Sequence, residues 1–524
     1  MDLHDYSEIS KAAERGRNDF VRLGLALLFI VGAVIYSTTL GHISLPMMVA
    51  AGIGAYMAMN IGANDVANNV GPAVGSKALT MGGALVIAAV CEAAGALIAG
   101  GEVVSTIRSG IIDPSLIPDK AAFIWIMMSA LLAAALWLNV ATLVGAPVST
   151  THSIVGALLG AGVMAAGFGI ANWGKVVQIA ASWVISPVMG GIVAAGFLYF
   201  IKRTITYQSD MRAAAARIVP VLIGLMVGVF AAYLMLKGLS KLWKVGFVEA
   251  LLGGAGLGVV SYLVLKPVIA RRAARSENTK QAINALFTWP LIMSAALLSF
   301  AHGSNDVANA IGPLAAIVDA LQTSGSEIGA SAGIPLWVML VGALGISVGL
   351  ALFGPKVIRT VGNEITELDQ MRAYSIAMSA TVTVILASQL GLPVSSTHIA
   401  VGGVFGIGFL REHLKNRYAI MIAQIKAHHP EDDQPAIDAF ITSFTAASIE
   451  QKGQMLKDLK QRMKSLQDPA HFSKRERKEL RQVYKTELVK RSLIKRIAAA
   501  WVITVPASAL MSAAIYLVLQ QLGF

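Results

Sequence analysis

The run Gly62-Ala-Asn-Asp-Val-Ala-Asn-Asn-Val-Gly-Pro72 returns as Gly303-Ser-Asn-Asp-Val-Ala-Asn-Ala-Ile-Gly-Pro313, and both copies lie inside otherwise apolar stretches. A second pair follows them: Gly145-Ala-Pro-Val-Ser-Thr-Thr-His152 and Gly391-Leu-Pro-Val-Ser-Ser-Thr-His398. The order is the same and the spacing nearly so, 84 residues from Asp65 to Ser149 and 89 from Asp306 to Ser395. A fainter echo pairs Val103-Val-Ser-Thr106 with Val357-Ile-Arg-Thr360. One ancestral unit has been duplicated.

Of the 524 residues, 56% are hydrophobic and 14% charged, where a soluble domain carries roughly a quarter charged. The excess needs lipid. A bilayer core takes about 20 apolar residues per helix, and thirteen such segments can be read, near residues 22–42, 46–74, 79–100, 121–145, 148–168, 176–201, 217–237, 245–269, 285–318, 333–354, 373–391, 393–411 and 496–520. With a cytoplasmic N-terminus and one crossing per segment, the loops at 202–217, 266–280, 356–372 and 411–496 fall inside. These are the loops richest in Lys and Arg, as the positive-inside bias requires. The stretch with Lys237, Lys241 and Lys244 falls outside and runs against the scheme. On this count the first Asn-Asp segment is the second crossing and its copy the ninth, so the copies run in opposite directions. The expectation is an all-α polytopic membrane protein, an inverted-repeat secondary transporter with interrupted helices and a binding site at the midplane. Its parts are an N-terminal tail and first helix (1–45), a first repeat (46–170), connecting helices (171–284), a second repeat (285–411), a polar insertion (412–495) and a last helix (496–524).

About twenty polar residues precede the first apolar run, which lengthens to a full span, so the N-terminus reads as a membrane helix rather than a cleavable signal. The single cysteine, Cys91, lies in an apolar stretch and excludes an intrachain disulfide framework. The net charge of +12 does not point to nucleic acid, because residues 411–496 alone hold 19 Lys or Arg against 11 Asp or Glu. A basic cytoplasmic loop accounts for that balance. Residues 412–495 carry a helix-forming rhythm of Lys, Glu and Gln, read first as a solvated spacer or dimer contact and second as a regulatory or lipid-headgroup element.

A charge inside a membrane segment costs on the order of 3 kcal/mol or more, so Asp65 and Asp306 need an offset. Asn and Asp oxygens with freed backbone carbonyls make a hard oxygen cage suited to a small cation such as Na⁺. The plainer reading, neutral acids or helix caps, is weakened by two copies at matched positions. The Pro-Val-Ser-(Thr/Ser)-Thr-His runs read as helix starts. Proline suits the first turn, and the hydroxyls of Ser149, Thr150, Thr151 and of Ser395, Ser396, Thr397 can donate alongside free backbone N–H groups. Such a start binds anions without Lys or Arg, and two facing each other would hold a tetrahedral oxyanion. Here the plainer reading is simple capping or backbone bonding. The motifs explain each other, because carboxylates beside an oxyanion repel it unless a cation, Na⁺ or H⁺, binds as well. No resident cofactor is implied.

His152 and His398 read as structural hydrogen-bonders; a Ser149–His152 hydrolase lacks an orienting carboxylate. An intramembrane aspartyl hydrolase built on Asp65 and Asp306 is a distant alternative that leaves the hydroxyl runs idle. Glu92 is a further intramembrane carboxylate, free to pair with Arg108 or Lys77 or to extend a cation path. Arg108 and Arg359 read as headgroup contacts. Thr106 and Thr360 are accessory candidates.

The Asn-Asp runs, the Pro-Val-Ser runs and the stretch Thr360-Val-Gly-Asn-Glu-Ile-Thr-Glu-Leu-Asp369 together resemble the PiT family of inorganic phosphate transporters, over about residues 48–170 and 290–411. The resemblance implies sodium- or proton-coupled phosphate symport in a cell membrane, not an enzyme. Phosphate would lie between the two Ser/Thr helix starts, with cation ligands from Asn64, Asp65, Asn68, Asn305, Asp306 and Asn309. It also implies a homodimer. Where many eukaryotic members carry a glutamate before each Pro-Val-Ser, this chain has Met127 and Ala377, which leaves the coupling ion open. A sulfate permease group shares the superfamily, so sulfate is the near alternative. The mechanism requires the two Asn-Asp runs to meet in the interior.

Overall fold

The computed structural model describes residues 3–39, 44–143, 148–238, 245–322, 333–364, 368–427 and 491–523. Most of the 412–495 insertion therefore lies outside the described residues. Among those described, all regular elements are helical apart from one isolated bridge, Ile112 to Ala171. In chain order they are α1 (Leu3–Thr38), α2 (Leu45–Gly75), α3 (Met81–Ala99), α4 (Gly101–Ser105) continuing as a π turn (Thr106–Gly110), α5 (Lys120–Leu143), α6 (Thr150–Ala166), α7 (Trp173–Ile201), α8 (Met211–Lys237), α9 (Phe247–Ala274), α10 (Lys280–Ala285), α11 (Thr288–Asp306), α12 (Ala308–Gln322), α13 (Leu336–Glu364), α14 (Gln370–Gln389), α15 (Ser396–Ala427) and α16 (Arg491–Leu522). Polar side chains set the starts: Ser44 Oγ accepts from Met47 N before α2, and Thr80 Oγ1 from Gly83 N before α3.

Eleven helices among the described residues are long and apolar enough to cross a bilayer, while α6 is a shorter apolar helix. The difference from thirteen crossings has a geometric cause. The chain entering α5 and the chain leaving α6 are tied together, Asp113 N donating to Ile170 O and Asn172 N to Ile111 O, each at 2.9 Å or less. The two arms therefore form a hairpin that returns to the face it came from. In the second half, Trp183 of α7 donates to Pro393 O at the tip, while further along α7 Gly190 O accepts from Ser379 Oγ of α14 and Gly191 meets Gly406 of α15, so both arms leave the tip in the same direction. α14 and α15 likewise turn back. Segments 148–168 and 393–411 are thus return arms. The eleven still include α5 and α14, the entering arms of the two hairpins, so nine full crossings remain and the direction assigned to every other segment is unchanged.

Close glycine contacts give the relative directions. α3 runs alongside α11 in the same sense, with Gly95 against the Phe300 carbonyl and Gly100 against Val307; a Cβ at Gly95 would collide with that carbonyl. α2 runs in the same sense as α13, with Gly345 against Ala58 and Gly354 against Val66. Since α2 and α3 are joined by the short turn 76–80, the Asn-Asp helices α2 and α11 point in opposite directions. The contacts match position for position: Gly62 meets the Ile346 carbonyl as Gly303 meets that of Glu92, and Gly349 meets Met59 as Gly95 meets Phe300. The register 92 to 346 is the one that aligns Thr106 with Thr360.

The flanking helices are exchanged between the halves. α16 packs on α6 through Gly156 and Gly160 against Val505 and Ala509, and α7 packs on α15 through Gly402 and Gly406 against Pro187 and Gly191. Two helices mark the extremes of burial among the apolar helices described. The apolar window of α14 is 83% buried at a mean hydropathy of 1.3, and that of α9 only 11% at 1.8. A helix facing lipid must be apolar on its outer face, whereas a central one can carry Ser and Thr that bond inside the bundle.

Candidate functional site

The first Asn-Asp run does not interrupt its helix. α2 continues unbroken through Asp65 to Gly75, while the second run breaks at Val307, between α11 and α12. The larger interruptions are the hairpin tips, before Thr150 and before Ser396. At both runs the polar side chains bond mainly to the tips rather than to local carbonyls.

Each tip reaches the Asn-Asp run of the opposite half. Thr397 Oγ1 receives a hydrogen bond from Asn68 Nδ2 at 2.8 Å and donates to Asp65 Oδ1 at 3.1 Å. Reciprocally, Asn309 Nδ2 donates to Thr150 Oγ1 at 3.2 Å and Thr151 Oγ1 at 3.3 Å. Ser396 Oγ donates to Asp306 Oδ2 at 2.9 Å. The tips also hold each other, Thr151 Oγ1 donating to Val394 O at 3.0 Å. The outer asparagines are matched too. Asn305 Nδ2 donates to Ser388 Oγ and Leu392 O, and Asn64, with its amide turned to satisfy both ends, donates to Val148 O at 3.0 Å and accepts from Thr142 Oγ1 at 3.1 Å. All twelve substrate and cation candidates are buried.

Two hydroxyls do cap. Ser149 Oγ accepts from His152 N and Ser395 Oγ from His398 N, at 3.1 and 3.2 Å. They fix the helix starts, while the N–H groups of Thr150 and Thr151, and of Ser396 and Thr397, have no acceptor within their helices. The two histidine rings meet beneath the tips, centroids 4.4 Å apart, His152 edge-on to Trp183 and His398 stacked on Trp501.

The sequence reading missed His302. Its Nε2 lies 2.9 Å from Asp306 Oδ2 and 3.6 Å from Asp65 Oδ2, and its Nδ1 lies 3.2 Å from Glu92 Oε2. Glu92 Oε1 accepts from Asn69 Nδ2 at 2.8 Å, so Glu92 pairs with neither Arg108 nor Lys77. One oxygen from each of Asp65 and Asp306 and one nitrogen of His302 lie within 4.8 Å of one another, a spacing that can hold a cation. His302 has no copy, because its counterpart is Ile61; a search for repeated polar residues passes over it.

Of the accessory candidates, Thr106 Oγ1 donates to Gly391 O at 2.9 Å and so anchors the α14–α15 tip, where Gly391 takes φ +62°. The side chain of Thr360 lies outside the described residues. Arg108 is not a headgroup contact: it forms a largely buried ion pair with Asp319 on α12.

A multi-helix membrane fold whose interior gathers three acids, five asparagines and two hydroxyl-bearing helix starts is that of a membrane transporter. The chain belongs to the phosphate transporter family, whose model matches residues 61–512. It is 51% identical, over 99% of both chains, to a Helicobacter pylori (strain J99) protein named "Putative phosphate permease". It is 38% identical to the chloroplastic inorganic phosphate transporter 2-1 of Arabidopsis thaliana, over 68% of this chain and 65% of that one. Among solved structures, "The sodium-dependent phosphate transporter" matches 91% of this chain and all of its own, at a TM-score of 0.72 and 30% identity. Family membership leaves no place for the aspartyl hydrolase alternative.

Proposed function

We propose that this chain carries inorganic phosphate across the membrane together with a cation, Na⁺ or H⁺. The observation that carries the reading is the reciprocal bonding of each Ser/Thr helix start to the Asn-Asp run of the other half, Thr397 to Asn68 and Asp65, Thr150 and Thr151 to Asn309. Phosphate is taken between the two starts by backbone N–H groups and by the hydroxyls of Thr150, Thr151, Ser396 and Thr397, which are shared with the acids until the anion competes for them. Ser149 and Ser395 contribute by holding the helix starts open.

Asp65 and Asp306 repel the anion unless positive charge binds with it, and this couples the two fluxes. Uptake against an inside-negative potential costs about 2.3 kcal/mol per charge per 100 mV, which the cation offsets. Asn64, Asp65, Asn68 and Asn305, Asp306, Asn309 are the cation ligands in this reading, with His302 and Glu92 adjoining them. The solved sodium-dependent neighbour supports Na⁺. The N-terminus and residues 412–495 are cytoplasmic, by the placement of Lys and Arg, and the protein works as a homodimer in the cell membrane.

Proteoliposomes given separate Na⁺ and pH gradients test the reading. Labelled phosphate should enter faster under one of them, and uptake indifferent to both would remove it. Excess sulfate should leave that uptake unchanged; strong competition would favour the sulfate alternative.

A further inference from the structure

α8 and α9 pack on each other through glycines. A Cβ at Gly224 would meet the Gly258 carbonyl and the Tyr262 side chain, and one at Gly228 would meet the Gly254 carbonyl. The two helices therefore run antiparallel in a fixed register, which sets Arg217 of α8 level with Lys266 of α9. Along one side of the pair runs a groove of about 490 Å³, bounded by Val221 to Ala232 on α8 and by Leu251 to Tyr262 on α9. Its lining is apolar side chains and glycine, with Tyr262 at one end. Gly224 and Gly258, both buried, form its floor. Leu251 and Tyr262 are 11 residues apart, about 16 Å of helix, which is roughly half of a ~30 Å hydrocarbon core.

Both walls end in a cation on the face that lines the groove. Arg217 precedes Val221 by four residues and Gly224 by seven, and Lys266 follows Tyr262 by four and Gly258 by eight, the spacings of a single helix face. Lys266 Nζ lies 5.4 Å from the Tyr262 ring centroid. Arg217 Nε donates to Ala213 O at 3.2 Å, which uses one of its five N–H donors. Both cations are exposed. An apolar trough with positive charge at one end fits an amphiphile with an anionic head and an apolar tail. We infer that the groove between α8 and α9 binds one anionic phospholipid, an acyl chain along the glycine floor and the phosphate at Arg217 and Lys266. Any apolar outer face is covered by lipid; here the concave shape gives one chain contacts on both sides, and the two cations select the headgroup. A second copy of this chain is the poorer occupant, because a twofold along the membrane normal would set two more cations at the same level. The assignment does not depend on transport through the centre.

The test uses the full chain in nanodiscs of mixed phosphatidylcholine and phosphatidylglycerol, released and weighed intact by mass spectrometry. Wild-type protein should retain phosphatidylglycerol over phosphatidylcholine by about tenfold, as two cations near one headgroup allow. Arg217→Gln with Lys266→Gln should abolish that preference and leave thermal stability in phosphatidylcholine unchanged, since both side chains are exposed. Ala255→Phe, which fills the trough and touches neither charge, should remove the retained lipid. Leu252→Phe, at an exposed position outside the lining, should leave it bound. Wild-type protein without the preference, or a preference that survives the charge pair, would overturn the site. So would a silent Ala255→Phe, which would reduce the binding to a headgroup contact, or an Ala255→Phe that splits a lipid-free dimer, which would give the face to a second copy.

Discussion

The two halves agree where they meet the centre and differ one layer behind it. Asn68 with Thr397 and Asn309 with Thr151 are counterparts in residue type and partner, at 2.8 and 3.3 Å. Behind them, the register that aligns the glycine contacts sets Glu92 opposite Ile346, His302 opposite Ile61 and Asn69 opposite Ala310. Duplication thus supplied a matched shell, and later change placed a buried acid, an imidazole and an amide on one side only. An oxyanion held between two helix starts benefits from the matched shell, because it has oxygens to offer to both. The unmatched polar layer gives the two acids different surroundings, so Asp65 and Asp306 need not be equivalent.

That comparison can be broken most directly at the acids. Asp65→Asn and Asp306→Asn should each cut phosphate uptake roughly 100-fold, about 2 to 3 kcal/mol, the range expected when a buried charged partner is removed. Equal losses from initial rates in vesicles would speak for equivalent sites, and unequal ones for the influence of His302 and Glu92. Next in size, Glu92→Gln should lower uptake about tenfold, since the carboxylate 3.2 Å from His302 Nδ1 is neutralised, while Ile346→Val at the counterpart position leaves it unchanged. A neutral outcome at Glu92 would make the unmatched layer mere packing. Thr397→Val removes a group bonded to both Asn68 and Asp65 and should raise the phosphate concentration at half-maximal rate several-fold, at about 1 kcal/mol per lost bond. Thr151→Val loses its bond to Val394 O and the one from Asn309, which Asn309 keeps in part through Thr150, and should act less. The smallest effect on transport is expected at the Arg108–Asp319 pair, whose counterpart positions are Gly362 and Ala78. Arg108→Gln should lower thermal stability by about 3 kcal/mol as a buried carboxylate loses its partner, and adding Asp319→Asn should restore part of it.

The sequence made the centre legible because its parts are repeated. Asp65, Asp306 and the hydroxyl runs stand out as polar residues at matched spacing in apolar segments, and the fold brings them together. His302 stood one residue before the quoted run, without a copy, and its role depends on Glu92 arriving from α3, which no local pattern announces. The hairpins were illegible for a different reason: an arm that enters and turns back is as apolar and nearly as long as one that crosses, so 148–168 and 393–411 look like spans. The continuity of α2 through Asp65 was hidden as well, since Gly and Pro flank the run and suggest a break. Pro72 is instead absorbed near the end of α2, where few helical bonds remain to be lost.

The crossing-over of α7 and α16 bears on how such a chain is made. The groove that Gly156 and Gly160 open on α6 is filled by Val505 and Ala509, so the first hairpin cannot find its permanent neighbour until almost the whole polypeptide has left the ribosome. At about 5 to 20 residues per second, the roughly 350 residues in between take some tens of seconds to appear. Through that interval the buried acid of α2 has no hydroxyl from Thr397 beside it, and synthesis passes through a stage in which half a centre waits in the bilayer for its complement.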